Sequence, residues 1–189
     1  MIAARSSQPV PYDEFLVMEK TSDERHEWVD GAVYAMSRGS PEHGRLTGRV
    51  IARMLTPLLA DGCEIFSSDT AIFIEAAQHH TYADASIVCG GLITRTVHDK
   101  NGQSIGEAIV NPTVIIEVLS DATERYDRDG KFEAYKKLAS LEEYVLVSQS
   151  ERRIEVRTRE GDGWTVRVAR QGESTSVHGR EIAVDAIYA

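Results

Sequence analysis

The chain has 189 residues, 42% of them apolar and 27% charged. This suits one globular domain with a sizeable core and excludes a disordered or fibrous protein. The formal net charge is −9, so a surface that grips long duplex DNA through phosphates alone is excluded, and a nucleic-acid role needs a local cleft, a metal ion or a basic partner.

Residues 1–10 read as an N-terminal tail and 11–189 as a single domain. The first element is a short helix over 11–20 with Pro11 in its first turn. ERHEWVD then reads as a strand, Asp30-Gly31 as a hairpin turn and AVYAMS as the returning strand. Ser40 and Pro41 open a long helix whose Leu46, Val50, Met54, Leu55 and Leu58 recur at helical spacing. CEIFSS, TAIFIEAA and TYADASIVC follow as strands, with Gln78-His79-His80 at the tip between the last two. Residues 90–110, rich in Gly, Asn and Gln, read as a mobile loop or an irregular excursion. PTVIIEVLS is rich in β-branched residues and suits a central buried strand. A helix over 124–139 precedes the strands EEYVLVS, RRIEVRTR and GWTVRVAR, with Gly161-Asp162-Gly163 as the last hairpin and EIAVDAIYA as a short strand or turn. The order gives an α+β fold: a central mixed sheet flanked by helices, with a C-terminal antiparallel meander.

No segment approaches the roughly 18 apolar residues of a membrane span, and MIAARSSQPV lacks the apolar core of a secretory signal. The two cysteines, Cys63 and Cys89, sit in apolar runs. Free buried thiols are expected over a disulfide, and a cytoplasmic setting follows by default.

Three charged residues stand where burial is costly. Glu117 interrupts Val114–Leu119, a run with no other polar side chain. An ionised carboxylate there costs several kcal/mol unless a cation or donors meet it; the alternatives are a strand-end Glu reaching solvent, or a metal ligand or general acid/base. Asp84 lies in another apolar strand, where Asp has poor propensity. Two such carboxylates held close together need a cation between them, and Mg²⁺ or Mn²⁺ suits oxygen ligands. Lys131 lies close to the apolar face of its helix, beside Tyr135 and Leu138; an Asp127–Lys131 pair one turn apart is its plainer explanation. Glu27 reads as an extra acidic ligand or a cross-strand ion-pair partner. Arg45, Arg49 and Arg53 recur every four residues, as a solvated face or a phosphate track. His43 reads as a capping or surface histidine and His79-His80 as a polar turn. P-loop, GxGxxG, HExxH and CxxC motifs do not occur.

These pieces resemble the Uma-two family of restriction endonucleases, within the PD-(D/E)xK nuclease superfamily, over residues 11–187. Glu27-Trp28-Val29-Asp30-Gly31 is similar to the family's early E-x-x-D-G hairpin, and His43 stands at the start of the long helix. Ala83-Asp84 takes the place of the PD pair, and Ile116–Ser120 that of the EVLS strand. Asp127, Lys131 and Tyr135 match the D-x-x-x-K-x-x-x-Y helix, and Glu143–Val147 the next strand. Alanine replaces the usual proline before Asp84, and Leu119 stands where the superfamily carries its lysine.

The resemblance implies a restriction-endonuclease-like fold and a Mg²⁺- or Mn²⁺-dependent nuclease. Asp84, Glu117 and the Val118 carbonyl would hold the metal, Lys131 would be catalytic in place of the missing lysine, and Glu27 and Asp127 would support them. Nucleic acid, DNA before RNA, is the implied substrate. A homodimer is expected, because cutting both strands of a duplex takes two sites. The competing expectations are a catalytically silent interaction module on the same fold, which the acidic charge favours, and a small-molecule hydrolase.

Overall fold

A computed structural model describes residues 8–37 and 39–189; most of the expected tail, and the side chain of Leu55, lie outside what is described. Helix α1 (Tyr12–Thr21) follows Pro11 and leads into β1 (His26–Val29) and β2 (Ala32–Ala35). Their turn places Asp30 at φ 45° and Gly31 at φ 88°, the left-handed pair that a two-residue hairpin requires. A Cβ on Gly31 would also lie 2.8 Å from that of Pro9. Helix α2 (Pro41–Ala60) is capped as expected, with Ser40 Oγ accepting from the His43 N–H at 3.1 Å. Its Leu46, Val50, Met54 and Leu58 are all buried, each contributing roughly 1.5–3 kcal/mol of transfer free energy.

The remaining elements are β3 (Cys63–Ser67), β4 (Ala71–Ile74), a 3₁₀ turn (Glu75–Ala77), β5 (His79–Tyr82), β6 (Ala85–Cys89), β7 (Thr94–His98), β8 (Ser104–Ile109) and β9 (Val114–Leu119). Then come α3 (Glu124–Tyr126), a π-helical turn (Asp127–Lys131), α4 (Phe132–Tyr135), β10 (Glu143–Ser148), β11 (Arg153–Glu160), β12 (Gly163–Arg170), β13 (Ser174–Val177), β14 (Arg180–Ala183) and α5 (Val184–Tyr188). The fold is mixed α+β, with two six-stranded mixed sheets in place of the single sheet expected. One runs β2-β1-β5-β4-β8-β7, the other β12-β11-β10-β9-β6-β3, and β13-β14 forms a separate ribbon. The meander β10-β11-β12 is antiparallel, while β9 and β10 are parallel. Strand β9 is buried at all six positions: Val114, Ile116 and Val118 enter a core with α2 and α5, and Ile115 and Leu119 enter one with α4 and β4. A third core joins α1 to the outer face of the first sheet.

Several local expectations are corrected. TYADASIVC is not one strand: it breaks at Ala83-Asp84, where the chain leaves the first sheet for the second. His79 and His80 are not a polar tip. Both are buried in β5, and of the three residues expected at the tip only Gln78, at φ 45°, is in the turn. Residues 90–110 are no loop but hold the β7–β8 hairpin, whose exposed outer strand lacks the apolar alternation that reveals strands. The helix expected to reach residue 139 ends at Tyr135 and contains the π turn. A further hairpin, β13–β14, follows Gly163. Cys63 and Cys89 are not free: they face each other in the β3–β6 ladder and form a disulfide. Their pairing depends on strand register, which residue composition does not report, and the inference of a reducing compartment loses its premise. Among the described residues no helix is long and apolar enough to cross a membrane.

The buried histidines make stability pH-dependent. Burial lowers both His79 and His80 from 6.5 to about 4. A lowered folded pKa means that the unfolded chain binds more protons between these values, so stability is full above about 6.5 and falls as pH drops toward 4. At about 1.4 kcal/mol per pH unit, each can remove up to about 3 kcal/mol. Urea denaturation between pH 7 and 4 should show this fall; a flat profile would mean that the imidazoles are not buried neutral.

Candidate active site

The site forms where the two sheets meet. The β6–β9 register pairs Ala85 with Ile116, so Asp84, one residue before β6, stands opposite Glu117. Glu117 Oε2 lies 3.4 Å from the Asp84 amide nitrogen, and Asp84 Oδ2 accepts from the Val118 N–H at 2.6 Å. On its other oxygen Asp84 meets His43 Nε2 at 2.7 Å. The Gln149 amide nitrogen lies 3.2 Å from His43 Nδ1, a partner that leaves the proton on Nε2, toward Asp84. Glu117 is 3% exposed, which removes the solvent-reaching alternative.

The helix after β9 supplies the cation. Lys131 Nζ donates to Glu117 Oε1 at 3.1 Å and to the Tyr82 carbonyl at 3.0 Å, and lies 3.2 Å from Glu27 Oε1. Asp127 is farther, at 3.8 Å, so the helical pair is only one part of a larger cluster. Tyr135 OH also donates to Glu117 Oε1, at 3.1 Å. Glu27 enters from β1 and accepts from the hydroxyls of Thr81 and Tyr126. Its ion pair is thus not across the strands but with a lysine from a distant helix.

Three carboxylates, Glu117, Glu27 and Asp127, therefore share one ammonium, and Asp84 adjoins them through Glu117. Burial drives Glu117 well above the usual carboxylate range; Lys131 opposes the rise, and Asp127 and Asp84 add to it. Burial likewise raises Asp127. For Glu27 burial acts upward too, yet Lys131, His79 and the two hydroxyls together hold it below the ordinary value. Burial would lower Lys131, but Glu117 and Glu27 keep it well above its ordinary value. Glu27–Lys131 is thus the favoured charged pair, and Glu117 is the carboxyl on which burial most opposes ionisation until a cation meets it. The hydrogen bond from His43 to Asp84 raises the imidazole against the effect of its own burial.

Asp84 and Glu117 offer hard oxygen donors that fit Mg²⁺ or Mn²⁺, ions content with one or two carboxylates and several waters. Among the described residues no third acid joins them at ligand spacing. Access is from the Asp84–His43 side, where those side chains are 17% and 21% exposed; Glu117 lies behind. The arginine stripe runs down α2 away from the site: Arg45 pairs with Glu42, Arg49 donates to the Ile187 carbonyl at 3.3 Å, and Arg53 is exposed.

Sequence reasoning missed His43, Gln149, Thr81 and Tyr126 as members of the site. The π turn accounts for Tyr126. A Cβ on Gly130 would lie 2.8 Å from the Tyr126 ring, so glycine lets that ring fold back and deliver its hydroxyl to Glu27. Gly130→Ala should therefore destabilise: overpacking costs about 1–3 kcal/mol, more than the roughly 1 kcal/mol gained in helix propensity. Thermal denaturation checks the sign; a raised midpoint would mean that Tyr126 moves aside freely.

The comparisons with known proteins agree with this architecture. A family model described as "Uma2: Putative restriction endonuclease" matches residues 12–184. An uncharacterized protein of Synechocystis sp., slr1290, is 34% identical over 195 residues, covering 100% of this chain and 97% of its own. A second Synechocystis protein, sll1609, is 27% identical over 178 residues, covering 94% and 96%. A crystal structure of "a putative nuclease belonging to DUF820" from Anabaena variabilis superposes with a TM-score of 0.72 at 15% identity, covering 95% of this chain and 98% of that one.

Proposed function

The chain belongs to the Uma2 family, and we propose on that footing that it is a divalent-metal-dependent nuclease that hydrolyses a phosphodiester bond. The observation that carries this reading is the half-buried Asp84 beside the buried Glu117, whose other oxygen meets an ammonium shared with Glu27 and Asp127. Asp84 and Glu117 would hold Mg²⁺ or Mn²⁺, with the Val118 carbonyl as a third oxygen. When bound, such an ion polarises a phosphoryl oxygen and lowers the pKa of its water.

The chain's own groups have separable tasks. His43 and the Val118 N–H fix both oxygens of Asp84. Lys131 orients the attacking water or offsets charge that develops on the phosphoryl group. Glu27, Asp127 and the Tyr82 carbonyl hold that ammonium in place. DNA is the favoured substrate. With a net charge of −9, affinity for plain duplex should be weak and fall steeply with salt. The Arg45–Arg49–Arg53 stripe is the weaker part of the proposal, since two of its members already have partners. A homodimer would supply the two sites that double-strand cleavage needs.

A second reading has one observation in its favour: Asp84 and Glu117 are already satisfied by His43, Val118, Lys131 and Tyr135. That is what a catalytically silent module on this fold would also show. The discriminating experiment incubates the protein with plasmid DNA, a single-stranded oligonucleotide and a structured RNA, each with Mg²⁺, Mn²⁺ or chelator. Metal-dependent cleavage of one class, lost in Asp84→Ala, supports the nuclease. No cleavage in any arm supports the silent module.

A further inference from the structure

Far from Asp84, three sulfur and nitrogen donors meet at the other end of β6. Cys63 opens β3, Cys89 closes β6, and His178 sits in the β13–β14 turn. His178 Nε2 lies 3.4 Å from Cys89 Sγ and 4.0 Å from Cys63 Sγ, and the three ligand atoms lie within 4.8 Å of one another. With Zn–S near 2.3 Å and Zn–N near 2.05 Å, a tetrahedral site has an S···N edge of about 3.6 Å. The two observed distances bracket it.

The imidazole is held in place. His178 and Gly179 take φ 47° and 72°, the left-handed pair of a tight hairpin. The turn is tied down on both sides: the His178 N–H donates to Glu143 Oε2 at 2.8 Å, and Arg180 Nε donates to Asp61 at 2.9 Å. Behind the ring, Glu142 Oε2 lies 3.6 Å from Nδ1, the place of the carboxylate that commonly orients a metal-bound histidine. Nothing in the disulfide itself calls for an imidazole so placed.

We propose that the Cys63–Cys89 disulfide and a zinc site are two alternative states of this locus. A dithiol breaks the S–S bond by giving two electrons and two protons and becoming a disulfide; a phosphine gives two electrons and takes the oxygen of a water, whose two protons complete the two thiols. Zn²⁺ then binds as both thiols release their protons, with Cys63, Cys89 and His178 as protein ligands and water as the fourth. Reduction lets the sulfurs rotate apart from bonding distance to the roughly 3.8 Å edge of a tetrahedral zinc site. The oxidised chain offers no thiolate and cannot bind the ion this way.

The test uses the full chain, reduced with a phosphine that does not compete for metal, and its oxidised counterpart. Co²⁺ is the probe, since only thiolate ligation gives a sulfur-to-cobalt charge-transfer band; cobalt at Asp84 and Glu117 would be silent in that band. Reduced protein should develop the band at one equivalent, and Zn²⁺ should bleach it. Oxidised protein should show none, and Cys89→Ser should lose it. His178→Asn keeps a residue that tolerates the left-handed turn and should weaken Zn²⁺ binding by at least tenfold; Glu142→Gln should weaken it about 10- to 100-fold. Far-UV circular dichroism confirms that each variant is folded, and if Cys89→Ser is not, His178→Asn decides. Absence of the band from reduced wild type, or undiminished Zn²⁺ affinity in His178→Asn, overturns the proposal.

Discussion

Lys131→Met should slow metal-dependent cleavage by about 10²-fold or more and lower the stability of the folded chain by about 3–5 kcal/mol. The second effect follows from what the ammonium touches. It lies within 3.2 Å of Glu27 and Glu117 and 3.8 Å of Asp127, and removing one partner of a buried ion pair leaves an uncompensated charge. Methionine retains the stem, so packing changes little. The loss should be greatest at neutral pH and shrink as acid neutralises the carboxylates. It should also shrink in Mg²⁺, which supplies charge to the same cluster. Cleavage kinetics and denaturant titrations with and without Mg²⁺ check both parts. Wild-type turnover in this variant would remove Lys131 from the chemistry, whatever its structural role.

Asp84→Asn and Glu117→Gln should each abolish detectable Mg²⁺ or Mn²⁺ binding together with cleavage, because each keeps shape while removing ligand charge. The wild-type affinity should rise with pH. Glu117 is held well above the usual carboxylate range, so metal entry releases its proton, and binding tightens as that proton becomes easier to remove. In the metal-free protein the same shift acts in the opposite direction. A raised acid in the folded state means that stability is full below its unfolded value near 4.5 and declines as pH rises through its folded value. Calorimetric titration of metal at several pH values distinguishes this from a pH-independent surface site. Unchanged binding in both variants would place the ion elsewhere.

The parts of this site that could be read from the sequence were those that violate a local rule. A Glu inside Val114–Leu119, an Asp in an apolar strand and a lysine on an apolar helix face each demand a partner, and the resemblance put them in one order. His43 violates nothing: a histidine three residues after a cap is ordinary, and only the fold carries α2's first turn to Asp84. Gln149 and Thr81 are similarly silent, since their roles depend on which strands adjoin. Glu27 came closer, but its apparent cross-strand function hid a contact to a helix 104 residues downstream, at Lys131.

The fold shows the same division. Helix α2 and strand β9 were legible because periodicity and β-branching act within one element. The split of 81–89 into β5 and β6 was not, because the break at Ala83-Asp84 serves the passage between sheets rather than any local turn preference. The Cys63–Cys89 pairing was hidden for a related reason: each cysteine looks like a small apolar residue in its own strand, and only the β3–β6 register sets them face to face.

Asp84 and Glu117 are proposed to form a metal-dependent phosphodiesterase site. Its most direct test is single-turnover cleavage by wild type and Asp84→Asn, purified side by side, on the preferred nucleic acid with Mg²⁺ and with chelator. Wild type should give products in Mg²⁺ alone, and Asp84→Asn a rate at least about 10²-fold lower. Equal cleavage by both proteins, or cleavage that persists in chelator, would contradict it.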